Sequence, residues 1–314
     1  MKLLHEYING NYTVKIYEDG TKIRETIDPE ATVFDSAFPE NIDVCITKKC
    51  DVNCPYCYES CSPIGSHSKL FGVDGEPLFA FMNDLTPGTE FAINGNDLDH
   101  PELEKLLRFL KEKGVIANMT VNQIQFMQNL KKLEYFITFK LIYGLGVSVM
   151  SPNKSFIAKL KEFYNITPNI VLHTIAGVFP VTELVDSFGG NNFKLLILGY
   201  KDKGRGKAYK NQVSFGMVLL PNKILDFKSN LKRVLKSFDV VSFDNLALEQ
   251  LDIKNTFFKD NKEAWDSFYQ GNDGSHTFYV DLVNKKFAKN SITDTQHDID
   301  NMSLTEMFNK IKNT

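Results

Sequence analysis

Residues 50–57 of this 314-residue chain read CDVNCPYC and place three thiols at Cys50, Cys54 and Cys57. The stretch directly follows the apolar residues 44–47, which have the composition of a buried strand. Several thiolates at such short spacing on one loop are typical of a metal site. Three cysteines around an iron-sulfur cube leave one iron free for chemistry, whereas a plain electron carrier normally uses four. The stretch therefore predicts a metal-binding loop at the end of a strand.

A fourth thiol, Cys61, keeps a second kind of metal site open. It follows Cys57 after another four residues, and four thiolates can hold tetrahedral zinc. Zinc sites usually combine two cysteine pairs separated by a longer loop, whereas these cysteines all lie within residues 50–61. The spacing favours an iron-sulfur site and leaves zinc as the alternative.

Composition indicates a globular protein of ordinary core size. The chain has 43% hydrophobic and 24% charged residues and a net charge of −3, which disfavours general nucleic-acid binding. No apolar run approaches the roughly 18 residues that span a bilayer, and the first residues are too polar for a secretory signal. Four cysteines clustered in one loop are unlike a disulfide framework. We expect a cytoplasmic protein without membrane association.

Strand and helix patterns alternate along the middle of the chain. Short connections between them favour parallel strands with right-handed crossovers, and ligands of such sheets gather at the carboxyl ends of the strands. The sequence therefore predicts an α/β fold with its site where the cysteine loop begins. The six predicted strands cover residues 41–47, 89–93, 115–121, 145–149, 170–176 and 192–199.

The C-x3-C-x2-C spacing, with the aromatic Tyr56 before the last cysteine, resembles the signature of the radical S-adenosylmethionine (SAM) superfamily. The resemblance implies that Cys50, Cys54 and Cys57 hold a 4Fe-4S cluster whose free iron binds SAM, with Tyr56 against the adenine. The implied activity is reductive cleavage of SAM to a 5'-deoxyadenosyl radical that abstracts hydrogen from a substrate. A reductant such as flavodoxin or ferredoxin would supply the electron.

The same resemblance implies a fold and its boundaries. Residues 41–240 would form the partial (β/α)6 barrel of the superfamily. Residues 1–40 would form an N-terminal β-hairpin, turning at residues 19–20, and a connector. Residues 241–314 resemble the SPASM or twitch extension of peptide-modifying relatives, as a small α+β cap in which the auxiliary cluster cysteines are absent.

A second motif follows the second predicted strand. Asn94, Gly95 and Asn96, ahead of His100-Pro101, resemble the Gly-Gly-Glu loop that holds the methionine amino group of SAM, with Asn96 in place of the glutamate. An amide oxygen can still accept a hydrogen bond there. Three other polar residues fall on strands where the superfamily contacts SAM, and an inward-facing structural role is the alternative for each: Asn122, Ser148 and His173.

Other patterns predict local structure or carry a weaker functional signal. The basic residues Lys201, Lys203 and Arg205 favour either a solvated loop or contact with an anionic group, and Cys61 and His67 are open candidates beside the cysteine loop. Periodicity and capping predict helices at 78–85, 102–113, 123–133, 152–163, 181–187, 223–236 and 303–310, strands at 213–220 and 246–250, and a hairpin at 277–288.

These observations leave three functions open. The first is a radical SAM enzyme acting on a peptide, favoured by the cap-like tail and the weak overall charge. The second is the same chemistry on a nucleobase, nucleotide or small metabolite, favoured by the basic loop. The third is a non-catalytic iron-sulfur or zinc module, favoured by the imperfect loop at residues 94–96.

Overall fold

A small antiparallel sheet begins the chain. The computed structural model describes residues 2–94, 97–211 and 219–314. The first three strands are β1 (Leu3–Asn9), β2 (Tyr12–Tyr17) and β3 (Lys22–Thr26), in the order β1-β2-β3. The predicted hairpin is confirmed as β2 and β3. The sequence did not reveal β1, because an irregularity of register between Leu3 and His5 breaks its alternation.

A large, mostly parallel sheet forms the centre of this mixed α/β fold. Strands that follow each other in the chain pair side by side, as the alternating pattern predicts. Closure of six βα units into a partial barrel stays a prediction. The parallel strands in the described residues are β4 (Asn41–Cys45), β5 (Glu90–Ile93), β6 (Ile116–Asn122), β7 (Gly144–Ser148), β8 (Ile170–Ile175), β9 (Lys194–Leu198) and β10 (Val240–Phe243).

Helices follow most of these strands and cover the sheet with their apolar faces. Leu103, Leu106, Leu107 and Leu110 lie at helical spacing in α1 and are all buried. Within the described residues, none of the helices is long and apolar enough to cross a membrane. The helices are α1 (Leu103–Glu112), α2 (Gln123–Gln128), α3 (Leu130–Thr138), α4 (Lys154–Tyr164), α5 (Val181–Phe188), α6 (Arg205–Lys210), α7 (Leu220–Ser229), α8 (Leu231–Ser237), α9 (Asn245–Gln250), α10 (Ile253–Phe257), α11 (Lys262–Phe268) and α12 (Leu304–Lys312).

The C-terminal residues extend the same sheet. β11 (Thr277–Asp281) pairs in parallel with β4, and β12 (Lys286–Ala288) and β13 (His297–Asp298) continue it in antiparallel fashion. The predicted hairpin is thereby confirmed, as is the final helix, where Ser303 and Glu306 form a capping box. The C-terminal segment thus shares backbone hydrogen bonds with the first parallel strand. The boundaries at residues 40 and 240 stay predictions.

Three predicted helices are shorter or divided in the structure. Residues 78–85 form only a 3-10 turn (Ala80–Met82). The predicted helix at 123–133 divides at Asn129 into α2 and α3, and that at 223–236 divides at Asn230. In each case the asparagine serves as the end of one helix and the start of the next. Asparagine favours such positions because its side chain competes for backbone hydrogen bonds.

The strand predicted at residues 246–250 is wrong, because this segment is helix α9. Asp244 begins the helix by accepting a 2.7 Å hydrogen bond from the backbone N–H of Ala247. The strand lies just before it, in β10, where valines at 240 and 241 favour extended structure. Most of the strand predicted at 213–220 lies outside the described residues, and Leu220 begins α7.

A buried polar network, here called the Glu40 network, joins the small sheet to the large one. The fully buried Glu40 carboxylate accepts hydrogen bonds from the Tyr12 hydroxyl at 2.6 Å and from Arg24 Nε at 2.7 Å, and Lys22 Nζ lies 3.3 Å away. The Tyr12 hydroxyl also lies 3.2 Å from His276 Nδ1, on the segment before β11. Residues from three parts of the chain therefore supply each other's hydrogen-bond and ion-pair partners here.

Candidate functional site

The cysteine loop leaves the carboxyl end of β4. The backbone N–H of Cys50 donates to the Ser62 carbonyl over 2.8 Å, and that of Cys57 donates to the Cys54 carbonyl over 3.2 Å. Cys50 is buried, while Cys54 and Cys57 are half-buried. All three line one cavity of about 570 Å³. The loop therefore presents its three predicted metal ligands to a single space.

Arg205, the first residue of α6, holds this loop from the other side. Its Nε donates to the Cys54 carbonyl over 2.9 Å, and its backbone N–H donates to the Cys57 carbonyl over 3.1 Å. The preceding residue, Gly204, has φ of 56°, and a Cβ there would lie 2.3 Å from the Tyr58 carbonyl oxygen. Only glycine allows so close an approach. Arg205 Nη2 is buried without a hydrogen-bond partner in the described residues.

Metal ligation requires thiolates, and the thiols of this loop differ in how readily they ionise. A hydrogen bond with Cys61 lowers the pKa of Cys57 to about 6 and raises the pKa of Cys61. Burial raises the pKa of Cys54, and the neighbouring Cys57 and Cys50 add to that effect. Gathering negative charge among three thiolates is unfavourable, and a bound cation relieves it.

In the described residues, the cysteine loop does not bring three donor atoms within the short range that a single zinc ion requires. Zinc binds sulfur at about 2.3 Å in a tetrahedron, which places sulfurs roughly 3.8 Å apart. In the described residues, the group whose donor atoms all lie within 4.8 Å of one another is Cys45, Glu59 and Asp281, not the cysteine loop. An iron-sulfur cube binds each thiolate at a different iron and so accepts wider spacing.

The Cys45, Glu59 and Asp281 group already has a cation. Lys48 Nζ forms ion pairs with Glu59 and, at 2.9 Å, with Asp281. Burial alone would lower the pKa of Lys48, but the surrounding Cys45 and Glu59 raise that pKa well above its usual value. The ammonium group therefore occupies the position that a metal ion would need. Tyr279 completes the group by donating to Glu59 over 2.7 Å.

Tyr56, the predicted contact of adenine, has aromatic neighbours. It lines the cavity, and its ring meets Tyr209 of α6 edge-on with centroids 5.7 Å apart. Tyr209 in turn stacks on Tyr200 at 6.3 Å. Burial and the nearby Cys54 raise the pKa of Tyr56, so its hydroxyl stays neutral. These rings give the cavity an aromatic wall beside the cysteine loop.

Three predicted site residues lie side by side at or near the carboxyl ends of neighbouring strands. Asn122 of β6 pairs in register with Ser148 of β7, which pairs with His173 of β8. All three line the cavity. The Asn122 side chain also caps α2 by accepting from the N–H groups of Ile124 and Gln125, so much of its hydrogen-bonding capacity serves the helix.

His173 and the second predicted loop bound the cavity further. Burial lowers the pKa of His173 to about 4, so the ring is neutral near pH 7. A Cβ on Gly146 would lie 2.4 Å from His173 Cε1, so this glycine makes room for the ring. Asn94 lines the cavity at the end of β5. Gly95 and Asn96 lie outside the described residues.

The basic loop after β9 is largely occupied by contacts within the chain. Lys201 donates to the Ser291 hydroxyl over 2.8 Å and lies 4.0 Å from the centre of the Tyr58 ring. Lys203 donates to the Ser291 carbonyl over 2.8 Å. These contacts join the basic loop to the C-terminal segment. The contacts of Arg205 join the same loop to the cysteine loop. His67, the other open candidate, hydrogen-bonds Thr47 over 2.8 Å.

Sequence reasoning missed two polar residues inside the cavity, Asp43 and Asn118. Parallel strands buried on both faces are normally apolar throughout. β4 and β6 instead carry polar residues at alternate positions, at 41 and 43 and at 118, 120 and 122. That alternation within a predicted parallel sheet is a signal for a polar inner surface.

Comparisons with known proteins support the fold. No protein-family model and no curated protein matches the chain, but solved structures do. The chain resembles Streptococcus suis SuiB bound to the precursor peptide SuiA, with a TM-score of 0.56 and 13% identity over 87% of this chain and 65% of that one. It also resembles SuiB bound to S-adenosylmethionine, with a TM-score of 0.55 and 9% identity over 97% and 88%.

At such identities the likeness concerns the fold alone. The chain spans 65% of the length of SuiB in the peptide complex. The large parallel sheet with its neighbouring C-terminal strands is therefore a fold that is known from proteins solved with SAM and with a precursor peptide.

Proposed function

We propose that this chain is a radical SAM enzyme that modifies a peptide. The observation that carries the proposal is that Cys50, Cys54 and Cys57 face the same cavity as Tyr56 and the row of polar residues ending β6, β7 and β8. The likeness of the fold to a protein solved with SAM and with a precursor peptide supports both parts of it.

The residues present fit the two implied cofactors. Cys50, Cys54 and Cys57 would hold a 4Fe-4S cluster, and the unpartnered Nη2 of Arg205 offers a hydrogen-bond donor beside them. When bound, such a cluster with a free iron supplies the electron that cleaves SAM to a radical able to take hydrogen from a substrate. Tyr56 would pack against the adenine, with Asn94 and Ser148 at the strand ends as further contacts.

The chain itself would position the reactants and exclude water. The Tyr56 ring and the neutral His173 ring both line the cavity. Reactive radicals require such shielding from solvent and from other side chains. The contacts of Arg205 with the loop carbonyls keep the cysteines in place while the cavity fills.

The basic loop gives little support to a nucleotide or other polyanionic substrate. Lys201 and Lys203 already have partners within the chain, Arg205 is held against the cysteine loop through its Nε, and the net charge is −3. A peptide needs no such basic surface. We therefore retain the peptide as substrate class.

A co-expression experiment tests the substrate class. A short peptide encoded beside the gene would be produced with the protein under anaerobic conditions, and its mass spectrum compared with that from the Cys54→Ala variant. We expect a mass change, a crosslink or an epimerised residue only with the unchanged protein. An unmodified peptide, despite 5'-deoxyadenosine formation by the same preparation, would reject the peptide and keep the chemistry. Absence of both would favour the non-catalytic module.

A further inference from the structure

The cavity continues from the cysteine loop along the inner face of the sheet. Its lining includes residues at the opposite, amino ends of the strands, namely Glu90 of β5, Asn118 of β6 and Gly144 of β7. Gly20, in the turn between β2 and β3, also contributes there. The cavity therefore has two regions: the mouth beside the cysteine loop, and an inner region reaching the small N-terminal sheet.

Asp43 stands in this inner region with open space before it. Its neighbours in register are Ala92 on β5, then Asn118 on β6, then Gly144 on β7. Alanine and glycine in this row leave room that larger side chains would fill. Asp43 is exposed although it lies in the central sheet, and it lines the cavity. Its accessible surface therefore faces the cavity.

Other acidic side chains around the cavity already have partners. Glu59 pairs with Lys48, and Glu90 pairs with Lys22. Asp244 accepts from two backbone N–H groups. In the described part of the chain, Asp43 accepts a single hydrogen bond, from Asn41 Nδ2 at 3.1 Å, and has no ion pair. Although its surface is accessible to the cavity, Asp43 is surrounded by protein atoms, and this desolvation raises the pKa of its carboxyl despite the nearby Lys201.

Asn118 lies in the same row and has an acceptor without a partner. Its Nδ2 donates to Glu90 Oε1 over 3.0 Å, which fixes the orientation of the amide because a carboxylate can only accept. The other end, Oδ1, is shielded from solvent and has no partner within the described residues. An unmade hydrogen bond of this kind costs about 1–3 kcal/mol. The oxygen lies against Gly144, where a Cβ would be 2.7 Å away, so Asn118 forms part of the wall of the inner region and not an open acceptor.

From this geometry we infer that the inner region binds a cationic side chain of the peptide substrate, an ammonium or guanidinium group, with Asp43 as its counter-ion. The inference rests on the proposed function, since it names the substrate of that same cavity. A carboxylate that has open space before it and no ion pair within the described residues favours a cationic partner. A neutral or acidic side chain would leave that carboxylate unpaired.

Binding of three matched peptides tests the inference without any turnover. The probes are N-acetylated, C-amidated Gly-Lys-Gly, Gly-Arg-Gly and Gly-norleucine-Gly, the last having no charge but a similar chain length. Saturation-transfer NMR on the cluster-loaded protein with SAM would report weak binding. We expect at least one cationic peptide to bind and the norleucine peptide to bind about tenfold more weakly or not at all. Equal binding of all three, or no binding of either cationic peptide, would overturn the inference.

Two variants assign the effect to Asp43. Asp43→Asn removes the charge at nearly constant volume and should weaken the cationic peptide about tenfold or more. Asp43→Glu keeps the charge and should retain part of the affinity, which covers the case in which the asparagine variant folds poorly. Unchanged affinity in folded Asp43→Asn, judged by its iron content and melting temperature, would overturn the role of Asp43.

The peptide-binding measurement can fail or succeed independently of the proposed function. Formation of 5'-deoxyadenosine tests the radical chemistry with no peptide present, whereas the peptide measurement needs no chemistry. Nucleoside formation without cation preference would reject only the inner-region inference. Cation preference without nucleoside formation would reject the radical chemistry and leave a cation-binding cavity.

Discussion

The Glu40 network and the cavity both hold polar groups inside the protein, but only the first is complete. Around Glu40, the Tyr12 hydroxyl, Arg24 and Lys22 supply donors from within the chain. Around the cavity, Arg205 Nη2 and Asn118 Oδ1 have no partner in the described residues. Complete networks rigidify a fold, whereas incomplete ones are costly unless a ligand completes them. The difference separates a structural junction from a binding site.

Breaking the complete network should have the largest effect on stability. Glu40→Gln leaves Arg24 without its counter-ion in a buried place and removes one of the two carboxylates beside Lys22, so we expect the free energy of unfolding to fall by about 3 kcal/mol. Urea denaturation measures it. As a control, Asp266→Asn removes the exposed pair with Lys262 and should change stability by less than about 0.5 kcal/mol. Similar losses in both variants would contradict the assignment of Glu40 as the junction.

Acid should weaken the same junction. Burial and the nearby Arg24 lower the pKa of His276 to about 4, from 6.5. Burial would raise the pKa of Glu40, but Lys22 and Arg24 lower it to about 2, from 4.5. As the pH falls, these two groups take up their protons at a higher pH in the unfolded chain than in the folded one. Their contribution to stability is therefore fully present above pH 6.5 and is lost towards pH 2. His173 should add to the loss between pH 6.5 and 4.

A denaturation series at several pH values checks this dependence. Glu40→Gln should remove most of the loss between pH 4.5 and 2, and His276→Gln part of the loss between pH 6.5 and 4. Stability that is constant from pH 7 to 4 in the unchanged protein would show that neither histidine is held neutral by the fold.

Asp97, which follows the second predicted loop, should have a smaller effect on stability and one of opposite sign. Both carboxylate oxygens of Asp97 are buried without a partner in the described residues, and burial raises its pKa well above 3.8. The folded state then holds a proton that the unfolded state releases, so Asp97 lowers stability near pH 7. Asp97→Asn should raise the free energy of unfolding by about 1 kcal/mol. The partnered Asp244 gives the contrast, since Asp244→Ala should cost about 1 kcal/mol.

Much of the fold and the mouth of the cavity could be predicted because local patterns determine them. The strand periodicity and the capping pattern that predicted the helix at 102–113 depend on neighbouring residues alone. The cysteine spacing likewise identified the loop that faces the cavity. The division of long helices at Asn129 and Asn230 was missed because an asparagine inside an apolar pattern looks like a tolerated polar residue.

The inner region of the cavity could not be predicted, because it depends on which residues face each other across strands. Asp43 and Asn118 are 75 residues apart in the chain and share a row only through β5. The role of Arg205 depends equally on a long-range approach, since it reaches the carbonyls of a loop near residue 54. Contacts of this range follow from register, which a single sequence determines only loosely.

Iron content and nucleoside formation, measured together, test the account most directly. The unchanged protein, Cys54→Ala and Cys61→Ala would be reconstituted anaerobically with iron and sulfide and assayed for 5'-deoxyadenosine with SAM and dithionite. We predict about four irons per chain and nucleoside formation in the unchanged protein, loss of both in Cys54→Ala, and retention of iron in Cys61→Ala. A colourless protein that holds zinc and loses it in Cys61→Ala as readily as in Cys54→Ala would contradict the account.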